Sequence, residues 1–99
     1  MKVALTESAL ADLDDIAEWI DRDNPDRAET FILDLRAKCD TLSGHPRRYP
    51  LVSGAAQSDL RKLTYRGYLI FYRVLTKQVD VVRIVHGARD WAALLGARD

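Results

Sequence analysis

Arginine is the residue type in this chain best suited to do chemistry by itself. Arg61, Arg73 and Arg83 each sit in a stretch rich in branched and aromatic residues. A planar, permanently charged guanidinium holds a carboxylate or a phosphate through two parallel hydrogen bonds, which lysine cannot reproduce. His86 follows Arg83 closely, and Arg89-Asp90 comes next. An imidazole among charged groups is a candidate general acid–base, the alternative being a structural or solvated histidine. Gly87-Ala88 is a break that lets the chain leave a strand, presenting Arg89 and Trp91 beyond it.

Other chemistries find no support. There is neither a P-loop nor a G-x-G-x-x-G stretch to cradle phosphates. One cysteine, Cys39, and two histidines, His45 and His86, are too few for a zinc centre. No Ser/His/Asp arrangement is indicated, and no cofactor or metal is expected. Cys39 falls on an apolar stripe and reads as a buried core thiol, with no internal disulfide possible; this fits a reducing cytoplasm. The net charge is zero but unevenly spread. Residues 1–46 hold five Lys/Arg against eleven Asp/Glu, a net of −6, and residues 47–89 hold nine against two, a net of +7. Either an electrostatic partner meets the basic part, or acidic helices neutralise a basic sheet within the fold. The 99 residues are enough for a single domain, 1–99. No apolar run approaches the ~20 residues of a membrane span, and the start of the chain does not read as a signal peptide.

The elements that must position these side chains follow from periodicity. Lys2 to Leu5 reads as a short strand. Thr6 is a good N-cap for a helix with Ala9, Leu13, Ile16 and Ile20 on its apolar stripe and Asp12, Asp14, Asp15 and Glu18 on the opposite side, ending near Asp21–Asp23. Asn24-Pro25 starts a second helix, with Ala28, Phe31, Ile32, Leu35, Cys39 and Leu42 inward and a stop at Ser43-Gly44. Residues 44–58 read as loop. Three strands follow, Asp59 to Thr64, Tyr68 to Leu75 and Val79 to His86, joined by Tyr65-Arg66-Gly67 and Thr76-Lys77-Gln78. A short helix or a frayed end is expected over residues 88–95. The fold class is α+β, in the order β-α-α-β-β-β, with an antiparallel helical hairpin packed on a mainly antiparallel four-stranded sheet.

With three residues in each turn, Arg61, Leu63, Leu69, Phe71, Arg73, Val81, Arg83 and Val85 share one sheet face. Leu60, Tyr68, Ile70, Tyr72, Val74, Val82, Ile84 and His86 share the other, which is the better one to lie under the helices. The first set would then display Arg61, Arg73 and Arg83 on an open face, unless each pairs with an aspartate of the helices as a structural ion pair. A slip of one residue in register would reverse part of this. Trp19 lies off the centre of the first helix's stripe and reads as an edge-of-core residue or, alternatively, an interface anchor.

The chain resembles the RelE/ParE toxin superfamily over nearly its full length. The matching stretches are Ala11-Asp12-Leu13-Asp14-Asp15-Ile16, Asn24-Pro25, Leu42 with Pro46, Tyr49-Pro50, Asp59-Leu60-Arg61, Gly67-Tyr68-Leu69-Ile70-Phe71-Tyr72-Arg73-Val74 and Arg83-Ile84-Val85-His86-Gly87-Ala88-Arg89-Asp90. The resemblance implies the toxin of a type II toxin–antitoxin pair, neutralised by a cognate antitoxin in a hetero-oligomer and acting in the cytoplasm.

Within the superfamily the ending His86-Gly87-Ala88-Arg89-Asp90 and the Asn24-Pro25 junction look more like the ParE-type, plasmid-stabilisation branch. That branch implies inhibition of DNA gyrase by binding rather than by hydrolysis. The alternative is a RelE-like ribosome-dependent mRNA endonuclease, for which Lys62, Arg89 and His86 would be the catalytic residues. Leu69 stands where that branch has an arginine, and Trp91-Ala92-Ala93-Leu94-Leu95 has no tyrosine. Target binding is accordingly expected of Arg61, Arg73, Arg83, His86, Arg89 and Trp91, and antitoxin binding of Trp19, Arg61 and Arg73.

Overall fold

The computed structural model describes residues 1–52 and 59–87. The chain runs β1 (Lys2–Leu5), α1 (Glu7–Asp21), α2 (Pro25–Asp40), a 3-10 turn (Thr41–Ser43), β2 (Leu60–Tyr65), β3 (Tyr68–Val74) and β4 (Gln78–His86). The expected order and class hold. The helix in the tail, with Arg89 and Trp91, lies outside the described residues.

Both helices start as their caps dictate. Thr6 is extended, and its Oγ1 accepts from the Ala9 amide at 3.2 Å. Asn24 Oδ1 accepts from the Arg27 amide at 3.2 Å, with Pro25 in the first helical position. The sheet order is β1-β4-β3-β2. β1 runs parallel to β4, from Lys2 opposite Gln78 to Leu5 opposite Val81, and the other neighbours are antiparallel. The parallel pairing is possible because the helices, β2 and β3 all lie between β1 and β4 in the chain, since a hairpin cannot join parallel strands.

The main core lies between the helical hairpin and the sheet. Ala9, Leu13, Ile16, Phe31, Leu35 and Cys39 from the helices meet Leu63, Ile70, Tyr72, Val79, Val81 and Ile84. Tyr72 is fully buried, and its hydroxyl donates to the Pro46 carbonyl at 2.6 Å, which settles its polar end. A smaller cluster of Val52, Leu60, Leu69, Phe71 and Val85 is buried away from the helices.

The face assignment needs two corrections, each caused by one residue. The β2–β3 turn has two residues, Arg66 and Gly67, with φ of 48° and 85°, so Tyr65 pairs with Tyr68. This is the positive-φ geometry that a tight hairpin favours. It moves Arg61 and Leu63 to the helix side and Leu60 to the other. The second correction is in β4. The register shifts between Phe71, opposite Arg83, and Tyr72, opposite Val81, leaving Val82 as the extra residue of a bulge. Val81 therefore joins the main core and Val82 packs against the smaller cluster, the reverse of the expectation. Beyond the bulge, Arg83, Ile84, Val85 and His86 keep their expected faces.

Candidate functional site

β1 ends at Leu5, opposite Val81, so among the described residues no strand lies beside the outer edge of β4 from Val82 onward. Residues of the start of α1 take its place. The Thr6 amide donates to the Val81 carbonyl at 3.0 Å, and the Thr6 hydroxyl donates to the Val82 carbonyl at 3.0 Å. One turn and a half later, the Asp12 carboxylate accepts the Ile84 amide at 2.8 Å. The same carboxylate takes the Arg83 guanidinium in a two-pronged pair, Nε to Oδ2 at 2.8 Å and Nη2 to Oδ1 at 2.9 Å. That bond, above all, holds the Arg83 guanidinium even further up its already high range. Asp12 is only 7% exposed, so its expected place on the solvent side of the helix is wrong.

The other two arginines of the expected open face are also committed. Arg61 Nη1 donates to the Arg47 carbonyl at 3.2 Å and to the Tyr49 carbonyl at 2.7 Å, pinning the loop that leads to β2. Arg73 Nε lies 3.2 Å from Asp59 Oδ2. Arg61, Arg73 and Arg83 thus do not converge: they tie a loop, a strand entry and a helix to the sheet. The ion-pair alternative describes Arg73 and Arg83, with a helix aspartate only for Arg83. The face on which they were expected is a second small core, with Leu60 and Phe71 fully buried.

The structure instead gathers a groove of about 430 Å³ where α1 crosses the far end of β3 and β4. Asp15, Ile16 and Trp19 line it from the helix, and Tyr68, Ile84 and His86 from the strands. Trp19 is 64% exposed, so it is no edge-of-core residue. Arg22 lies over its ring at 5.6 Å from the centroid. Phe31, Tyr68 and His86 form a row, with centroids 5.5 Å and 5.3 Å apart and the Tyr68–His86 pair edge-to-face. Burial raises the Tyr68 phenol above its ordinary range. Of the sequence-derived residues, this end brings together Trp19 and His86. Lys62 lies on β2, on the face away from the main core, across from Phe71.

Tyr68 and Asp15 were missed as site residues. Asp12 carried a readable signal: with Ala9, Leu13 and Ile16 it occupies a position of the helix's own apolar stripe, and a carboxylate there needs a buried partner. Among the described residues no cluster of His, Cys, Asp and Glu stands ready to hold a metal ion. No helix among them is long and apolar enough to cross a membrane.

The described residues thus form a helical hairpin on a mixed four-stranded sheet, with an aromatic and acidic groove at one end. The fold is that of a solved chromosomal ParDE toxin–antitoxin system from P. aeruginosa, with a TM-score of 0.76 at 22% identity, covering 87% of this chain and 95% of the other. The family model of the ParE toxin of type II toxin–antitoxin systems, parDE, matches residues 3–91, and the chain belongs to that family. It is 37% identical over 89 residues to toxin RelE2 of Caulobacter vibrioides, covering 89% of this chain and 97% of the relative. It is 26% identical over 99 residues to the putative toxin Y4kP of Sinorhizobium fredii, covering 95% and 96%. The chain is therefore the toxin of a ParDE-type type II system, and its partner is a cognate antitoxin.

Proposed function

We propose that this toxin arrests growth by binding DNA gyrase and blocking supercoiling, and that its antitoxin neutralises it by occupying the groove around Trp19. The observation that carries the reading is the use made of the arginines. Arg61, Arg73 and Arg83 are bound to carbonyls or carboxylates of the fold. The three arginines expected to form an open phosphate-gripping face, as cleavage of RNA calls for, are thus spent on the fold. A protein target asks for less charge and more shape. Membership of the ParE family supports gyrase as that target. The contacts are assigned to His86 and to Arg89 and Trp91, which follow the strand end.

The second reading, a ribosome-dependent mRNA endonuclease using Lys62, His86 and Arg89, is favoured by the likeness to a relative named RelE2. Two assays separate them. Induction in cells should raise a DNA-damage response and leave mRNA intact on translating ribosomes. Codon-dependent mRNA cleavage without DNA damage would reverse the choice.

A further inference from the structure

Arg66 is the single non-glycine residue with positive φ among the described residues, at 48°. In a two-residue hairpin turn that position belongs by preference to Asn, Asp or Gly, because a longer L side chain is strained there. The turn is not loose. Its second residue, Gly67, accepts the Gly87 amide at 2.8 Å, and a Cβ on Gly87 would stand 3.1 Å from the same carbonyl, so strand end and turn are packed together. A fold that needed only a turn would have a better residue available. Strain kept at a rigid tip points to a use for the side chain.

The surroundings indicate which use. The Arg66 guanidinium lies over the Tyr65 ring at 5.3 Å, and the Lys38 ammonium from α2 lies over the same ring at 5.9 Å. Two like charges thus share one aromatic platform. Neither cationic head has an ion pair or a hydrogen bond among the described residues, in contrast to Arg61, Arg73 and Arg83. Asp34 is the acidic group on the wall of the hollow of about 270 Å³ beside Lys38 and Tyr65. Arg66 is exposed and Tyr65 half-buried. A guanidinium held over a ring with no hydrogen bond to the fold keeps its N–H groups available for a carboxylate, in the forked geometry it forms best.

We infer that Arg66, presented on Tyr65 and reinforced by Lys38, is a contact by which this toxin grips an acidic side chain of its protein target. A protein carboxylate is favoured over a nucleic-acid backbone because Asp34 lines the hollow beside Lys38 and Tyr65. A run of phosphates tracking across the site would meet that like charge, whereas a single carboxylate answers to the local pair of cations. The site lies at the same end of the sheet as His86, so it extends the target surface proposed above and rests on the reading that the toxin acts by gripping a protein.

The test uses the full chain carrying Arg66→Asn, Arg66→Lys or Lys38→Gln. Arg66→Asn suits the turn better, so its Tm should rise by about 2–5 °C. Its affinity for the antitoxin should stay within twofold, while growth arrest on induction is lost. Arg66→Lys should arrest growth only weakly, and Lys38→Gln should fall between. Full growth arrest by Arg66→Asn would overturn the inference. So would a loss of arrest accompanied by a lower Tm or by weakened antitoxin binding, since the residue would then serve the fold or the antitoxin. If Arg66→Asn instead weakens retention on single-stranded RNA, the ligand is phosphate and the carboxylate assignment fails. Failure of the gyrase reading shows separately, as unimpaired supercoiling in the presence of the wild-type toxin.

Discussion

The Asp12 carboxylate on α1 binds the Arg83 guanidinium of β4 through two hydrogen bonds, of 2.8 and 2.9 Å, and accepts the Ile84 amide with the same Oδ2. Asp12 thereby does for the outer edge of β4 what two further residues of β1 would do. It satisfies a backbone donor that no strand among the described residues reaches and ties α1 to the sheet edge. Trp19 lies two turns further along that helix, so the position of the groove depends on this contact.

Asp12→Ala should therefore cost about 2–4 kcal/mol in urea unfolding, toward the lower part of what breaking a buried ion pair costs, because the Arg83 side chain remains 23% exposed. Arg83→Ala should be destabilising as well, and the double variant should be less than additive. Growth arrest in Arg83→Ala should fall in proportion to folded protein. A stable Arg83→Ala variant with no toxicity would return Arg83 to the target-contact set.

Much of the fold was legible in the sequence, and what was not turns on single residues. Thr6, Asn24 and Pro25 announce the helices because capping is local chemistry. The strands announce themselves through Tyr68-Leu69-Ile70-Phe71-Tyr72 and Val79 to Ile84. The faces are different, since one residue in a turn or a bulge inverts them. Tyr65 belongs to β2 because Arg66 accepts a left-handed conformation, which a sequence rule would not assign to arginine. The Val82 bulge has no local signature at all. Those two positions decide that Arg61 lies on the helix side and that Val81 and Val82 exchange faces. Of the candidate site, Trp19 and His86 were found by residue type. Tyr68 and Arg66 were not, because their roles depend on which side chains the hairpin brings beside them.

Cys39 gives a pH-dependent reading of the core. Burial, helped by Asp40, pushes its thiol up to about 11. The unfolded chain ionises this thiol near its ordinary 9.0. The group's contribution to stability is therefore complete below about pH 9 and is lost as pH rises toward 11. Burial of Tyr68 and Tyr72, whose phenols are also raised, acts in the same direction. Stability measured by urea unfolding should decline from pH 9 to pH 11. Cys39 should resist iodoacetamide at pH 8 in the native toxin and react once urea unfolds it. Rapid alkylation of the folded protein would show that the thiol is accessible.

Trp19 should separate the antitoxin from the fold. Its ring is mostly exposed, so Trp19→Ala should change stability by no more than about 0.5 kcal/mol. If the antitoxin seats on the groove, the same variant should weaken the complex by about 30-fold or more, the scale of losing an aromatic anchor at an interface. Calorimetric titration of antitoxin into each toxin checks this, and an unchanged Kd would place the interface elsewhere.

Supercoiling of relaxed plasmid by purified gyrase, titrated with the purified toxin and then with its antitoxin, tests the account most directly. Inhibition should grow with toxin concentration, need no added metal beyond that required by gyrase itself, and be reversed by stoichiometric antitoxin. Supercoiling that continues undiminished at toxin concentrations well above those of gyrase, from a preparation that still arrests growth and binds antitoxin, would contradict the central claim.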